Sequence, residues 1–194
     1  MVINPLGTLL TGRDLPVAEL CCARLDGELV AVGEGWSPVD LPVGEAVRAQ
    51  AAALLVPPRV IAERMTAAWI FGLVPEPTRH HFCVDARTRA HVPPSSRIQL
   101  REVNCTTDDT LTLGGLQVTT PLRTVSDLAR HGAVEEPMLV HVIAALLAYG
   151  RLDPQDAIER LSLRPRAPHT GLALRRVHTA ASVGLSPGSV VRSA

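Results

Sequence analysis

Residues Val118 to Arg130, VTTPLRTVSDLAR, constrain this chain more than any other stretch. They run from an apolar strand through a Thr-Thr-Pro turn into an amphipathic helix. Thr120 offers a hydroxyl as cap. Pro121 suits the first helical position, where a missing N–H costs nothing because that group has no intrahelical partner. Leu122, Val125, Leu128 and Ala129 recur on one helical face. Arg123 and Asp127 stand four apart on the other side, within reach of an ion pair.

Similar signals place the other elements. Thr11 is expected to cap a short helix, with Asp14 as its reciprocal partner, and Pro16 opens a second helix that Asp26-Gly27 stops. Leu29 to Val32 and Trp36 to Val39 flank Gly33-Glu34-Gly35, a hairpin signal. Two helices followed by a hairpin outline a winged helix-turn-helix over residues 1–44. An alanine-rich helix follows over Glu45 to Leu55, then a helix from about Val60 to Phe71. Phe82 to Val84, Ile98 to Val103 and Thr110 to Thr119 read as strands, with a loop over Arg87 to Ser96. Beyond the junction helix, Pro137 opens a helix with two apolar stripes: Met138, Val142, Ala145 and Tyr149, and Leu139, Ile143 and Leu147. Asp153-Pro154 caps a shorter helix to Leu161, and a last helix is expected over Gly171 to Val183. The final ten residues carry no core pattern.

The fold class expected is α+β: the winged helix-turn-helix, a mixed helix-and-strand domain over 45–163, and a basic helical tail over 164–194. With 46% apolar and only 3% aromatic residues, the core must be built from Leu, Val, Ile and Ala. All 19 basic residues are Arg, as a GC-rich coding bias would give, and the formal net charge is zero. No signal peptide and no bilayer-length apolar run is visible, so a cytoplasmic protein is expected. Cys21, Cys22, Cys83 and Cys105 are read as reduced, buried thiols, because adjacent cysteines on one helix point apart.

The junction resembles the TTPLRT-x-x-DLA signature of the AbiEi family, the antitoxins of type IV toxin–antitoxin systems. Gly114-Gly115-Leu116 leads into it as in that family. Upstream, Pro57-Pro58-Arg59-Val60-Ile61-Ala62, Thr66-Ala67-Ala68-Trp69 and Gly72-Leu73 resemble the family's S/T-A-A-W-x-x-G-L helix. In the first 44 residues, Asp14, Leu15, Arg24, Gly27, Leu29 and Gly35 fit its N-terminal pattern. The matches span roughly residues 8–162. Thr119, Thr120, Pro121, Arg123, Thr124, Asp127 and Trp69 are the motif residues carried over. The resemblance implies an antitoxin that binds promoter DNA of its own operon, represses it, and counters a nucleotidyltransferase-like toxin without forming a stable complex. It also occurs in larger proteins with a nuclease-like tail, for which this chain is too short.

Charge opposes part of that expectation. Residues 1–50 hold three arginines (Arg13, Arg24, Arg48) against seven acids, while residues 151–194 hold seven arginines against three acids. Phosphate contacts supply most non-specific DNA affinity, so an acidic reader starts at a disadvantage. Two readings stand. The winged helix reads DNA through Arg13 and Arg24, helped by Arg164, Arg166, Arg175 and Arg176. Or it keeps the shape as a protein-contact module.

No catalytic constellation, cofactor motif or metal-ligand spacing emerges, and the expectation is a protein that is not an enzyme. His80-His81-x-Cys83 enters a strand, where neighbours point to opposite faces. Ser126 is mid-helix, away from the face of His131. Asp108-Asp109 reads as a solvated turn before a strand. Trp69 is expected in a core, and Arg123 with Asp127 in a structural pair. The rival functions are a stand-alone regulator without a toxin, an interaction module forming a homodimer through the Met138 to Tyr149 stripes, and a shortened relative of the nuclease-tailed proteins.

Overall fold

A computed structural model describes residues 9–87, 95–132, 134–163 and 168–184. The chain divides into two compact units, Met1–Thr119 and Thr120–Ala194, and is of mixed α+β class. The division falls inside the VTTPLRT stretch, at the hand-over from strand to helix. The boundaries expected near residues 44 and 163 both lie within units.

In the first unit, Thr11–Leu15 is a turn and not the expected helix. The reciprocal cap does form: Asp14 Oδ2 accepts from Thr11 N at 2.8 Å and from Thr11 Oγ1 at 2.9 Å. Pro16 stops propagation, because it has no N–H and disfavours helical geometry in the residue before it. Helix α1 (Val17–Leu25) starts after it, and Gly27, at φ 79°, turns the chain out. Strands β1 (Leu29–Val32) and β2 (Gly35–Pro38) form the expected hairpin. Leu10 bridges to Trp36 alongside. Among the described residues, one helix and not two precedes this hairpin, so the two-helix outline of a winged helix-turn-helix is not reached. Glu34 at the hairpin tip pairs with Arg97, which ties the turn to the rest of the unit.

The remainder of the unit comprises α2 (Glu45–Ala53), β3 (Ile61–Ala62), α3 (Arg64–Ile70), β4 (His80–Asp85), β5 (Ile98–Val103), β6 (Thr110–Leu113) and β7 (Leu116–Thr119). Five strands make one sheet in the order β5-β4-β3-β7-β6. β3 is antiparallel to β4 and parallel to β7; β4–β5 is parallel and β6–β7 antiparallel. The helix expected from Val60 therefore starts four residues late. Val60 and Ile61 are β-branched and favour extended geometry. Pairing of Ile61 with both Cys83 and Gln117 makes this two-residue strand the centre of the sheet. The strand expected over Thr110 to Thr119 is a hairpin, with Gly114 and Gly115 at φ 51° and 84°, the signature of a tight primed turn. A Cβ on Gly114 would stand 2.3 Å from the Ala46 carbonyl oxygen, so α2 closes on bare backbone there.

Register assigns the sheet's faces. Ala62, Phe82 and Val118 are fully buried on one face, the side on which α2 and α3 pack. The opposite face carries Ile61, Cys83 and Arg101 in one cross-strand row, with Gln117 beside them. The first side packs Phe82 with Ala62 and Val118, and the other carries the Cys83–Arg101 row.

The second unit is helical: α4 (Pro121–His131), α5 (Glu136–Tyr149), α6 (Pro154–Ser162) and α7 (Thr170–Gly184). Thr120 caps α4 by accepting from Arg123 N at 3.4 Å, and Asp153 Oδ1 caps α6 through Gln155 N at 2.9 Å. Leu128, Leu139, Ile143, Leu146, Leu161 and Val177 are all 0% exposed. The expected basic tail is thus largely a packed helix of this core, because Ala173, Val177 and Ala180 put small apolar groups on its inner face. Residues 185–194, expected to fray, lie outside the described residues. Among the described residues no helix is long and apolar enough to cross a membrane.

Candidate functional site

The chemistry-bearing face of the sheet is organised around Glu63, which leaves β3 with a fully buried side chain. Its carboxylate accepts from Arg101 Nε at 2.6 and 2.9 Å and from Arg101 Nη2 at 2.6 Å, a fork-to-fork pair. Arg64 Nε adds a bond at 3.0 Å. Arg64 itself sits at φ 48°, a left-handed geometry rare for a side chain larger than glycine. Glu63 N donates to His81 O, and Thr66 Oγ1 accepts from His81 N at 2.7 Å. These bonds make the carboxylate a staple between the end of β3, β5 and the start of α3.

The neighbouring histidines divide between the two sides of β4. His80 stands edge-on to Trp69, with centroids 5.5 Å apart, and its Nε2 lies 3.3 Å from Glu76. Burial lowers its pKa against the opposing pull of Glu76. His81 is lowered to about 4, first by burial and then by the Arg64 charge. Its Nδ1 is buried with no hydrogen-bond partner among the described residues. Burial and the nearby Glu63 push the Cys83 thiol up, so it stays protonated. Cys83 packs with Ile61 and Cys105. The expectation of buried thiols holds for Cys83 and Cys105 and fails for Cys21 and Cys22, which are exposed because α1 buries only Leu20. No cluster of three metal-ligating side chains occurs among the described residues.

Where β3 and β7 begin, a cleft of about 840 Å³ opens. Its walls include Arg59, Arg87, Thr107, Thr110 and Gln117, over a floor with Val60 and Leu116. Arg87 is held by Asp85, with Nε at 3.1 Å from Oδ1 and Nη2 at 2.7 Å from Oδ2, and by the Cys105 carbonyl at 2.9 Å. These bonds keep the Asp85 carboxyl well below the usual range, at about 2.

The motif residues are almost all interior. Thr119 and Thr124 are 0% exposed and Trp69 6%. Arg123 Nε donates to Asp127 Oδ2 at 2.8 Å, the expected pair, and both residues are buried. Every residue from Arg123 to Ala129 is buried. Ser126 Oγ donates to Leu122 O at 2.9 Å, which engages the hydroxyl within its own helix. Asp109 is also buried, its Oδ2 accepting from Thr106 N at 3.1 Å; the expected solvated turn is a capped 3-10 turn in which Asp108 is exposed and Asp109 is not.

The candidate DNA-contacting arginines have separate fates. Arg13, in the turn, and Arg24, in the last turn of α1, are exposed, and so is Arg175. Arg176 is 9% exposed. Its Nε and Nη2 meet Glu136 at 2.8 and 2.6 Å, and its Nη1 donates to Ala129 O at 2.8 Å, so it locks α7 to α4 and α5. Arg164 and Arg166 lie outside the described residues. Glu63 and Arg101 were not singled out in the sequence. The only signal was an acid next to a short apolar run, because Arg101 lies thirty-eight residues away and meets Glu63 only through strand pairing.

The model of the AbiEi antitoxin C-terminal domain matches residues 60–175, from the central strand of the sheet into α7. No curated protein matches the chain. Among solved structures, the crystal structure of the RV2827C protein from Mycobacterium tuberculosis is similar in fold, with a TM-score of 0.50 and 16% identity, over 93% of this chain and 73% of that one.

Proposed function

The chain belongs to the AbiEi antitoxin C-terminal domain family, and on that premise we propose that it is the antitoxin of a type IV toxin–antitoxin system, a DNA-binding autorepressor of its own operon that counters a nucleotidyltransferase-like toxin. The observation that carries this reading is the intact signature: Thr120, Pro121, Arg123 and Asp127 form one capped, internally paired helix. It acts by binding and not by catalysis; Glu63 and Ser126, the groups nearest to a general base and a nucleophile, are engaged in structural hydrogen bonds. Its candidate phosphate contacts are Arg13, Arg24 and Arg175, all exposed, with Arg164 and Arg166. The proposed setting is the cytoplasm, with no stable complex with the toxin.

Two experiments test it. Deleting the gene should raise output from its own promoter, and an unchanged promoter removes the repressor half. Co-expression with an adjacent nucleotidyltransferase-like gene should restore growth. Persistent arrest, with both proteins present and soluble, removes the antitoxin half.

A second reading has its own observation. Leu15, Val17, Leu25, Val30, Val39 and Leu41 are each at least 40% exposed, all within the acidic first stretch. Apolar surface with an acidic surround favours a protein partner over DNA. Under that reading, the N-terminal stretch docks a protein, and upstream DNA is not retained even at low salt.

A further inference from the structure

The cleft in the first unit lies outside the Thr119 to Asp127 motif helix, and neither proposed activity uses it. Its volume of about 840 Å³ falls within the range of small-molecule sites, roughly 300–1,000 Å³. Its floor is apolar, with Val60, Ile61 and Leu116 all buried. Its rim carries two arginines of opposite character. Arg87 is 75% exposed yet pinned through Asp85 and the Cys105 carbonyl, which leaves Nη1 outside those bonds. An exposed arginine usually keeps its rotamer freedom; one fixed in advance loses less on meeting an anion. Arg59 is exposed, with no hydrogen bond or ion pair for its guanidinium among the described residues. Its backbone stands at φ 76°, a geometry costly for any residue with a Cβ. A glycine would meet the turn's need at less cost, so the turn alone does not account for arginine here.

We propose that this cleft binds a small phosphate ester with an apolar or heterocyclic body, of mononucleotide size. Arg59 supplies the charge, and Asp85 balances Arg87, which leaves the lining with one net positive charge. Arg87 Nη1, Thr107 and Thr110 add donors around the anion. A phosphate has more terminal oxygens than a carboxylate and uses this larger donor set more fully. The body of the ligand lies over Val60 and Leu116. The chemistry is shared by a free mononucleotide and by the 5′-phosphate end of a nucleic-acid strand.

The test is calorimetric titration of the full chain at low salt with AMP, with adenosine, and with a short 5′-phosphorylated single strand. Saturable binding of AMP or of the strand is expected, at least tenfold tighter than adenosine. Whichever of the two binds tighter identifies the source. Arg59→Gly separates binding from folding, because it removes the guanidinium and relieves the backbone at once. It should weaken binding at least tenfold while the melting temperature stays at or above that of the parent. Arg87→Lys should weaken binding with the fold intact, because lysine cannot reproduce the fork on Asp85. Absence of saturable binding of either phosphate ligand at millimolar concentration, or binding unchanged by Arg59→Gly, overturns the proposal. The promoter and growth experiments do not depend on this outcome.

Discussion

Helices α1 and α4 have similar lengths, nine and eleven residues, and opposite environments. α4 holds the most recognisable sequence in the chain and buries nearly all of it, including a guanidinium and a carboxylate that pair with each other. α1 buries Leu20 alone and leaves Val17, Cys21, Cys22 and Leu25 exposed. A motif can be distinctive because it builds a core, while the surface available to a partner lies in a stretch with a fainter signature. The charged residues of α4 are framework, and the exposed arginines and apolar groups around α1 are what another molecule can meet.

Four perturbations break or sharpen that contrast. The largest effect is expected from Asp127→Ala, which leaves Arg123 buried without its carboxylate; breaking a buried pair costs about 3 kcal/mol or more. Urea denaturation should show a lower midpoint, and a loss below about 0.5 kcal/mol would mean that the pair is not interior framework. Leu20→Ala should cost roughly 2–3 kcal/mol, the lower range for a buried leucine, since it is the only buried residue of α1.

The third perturbation is pH, through β4. His81 is held at about 4, below its ordinary 6.5. The unfolded chain therefore takes up a proton that the folded chain refuses, and stability present above pH 6.5 is lost as pH falls towards 4. The expected loss is roughly 2 kcal/mol by pH 4.5. His80, lowered by burial as well, acts in the same direction. Denaturation midpoints at pH 7.5 and 4.5 measure it, and His81→Asn should flatten the slope. The smallest effect belongs to Val17→Ser with Leu25→Ser, expected within about 0.5 kcal/mol because both side chains already meet solvent. A larger loss would show that α1 is covered in solution.

Local chemistry made much of this fold legible. Thr120, Pro121 and Asp153 announced two helix starts and Gly33 a turn, because capping and left-handed turns depend on residues adjacent in sequence, whereas the turn at Gly114-Gly115 was read through as continuous strand. Long-range effects were not legible. Two-residue β3 becomes a central strand only through partners at Cys83 and Gln117. The Glu63–Arg101 staple is created by the β3-β4-β5 register. Arg176 read as a surface charge until Glu136 and the Ala129 carbonyl enclosed it. The first expected helix failed for a local reason that was visible: Pro16 follows Leu15 directly.

Fluorescence anisotropy with a labelled duplex of the gene's own upstream region, at low salt, tests the account most directly. Arg13→Ala with Arg24→Ala should bind at least tenfold more weakly than wild type, with an unchanged unfolding curve. Equal binding by the double variant, or no binding by wild type, would contradict the assignment of DNA contact to the exposed N-terminal stretch.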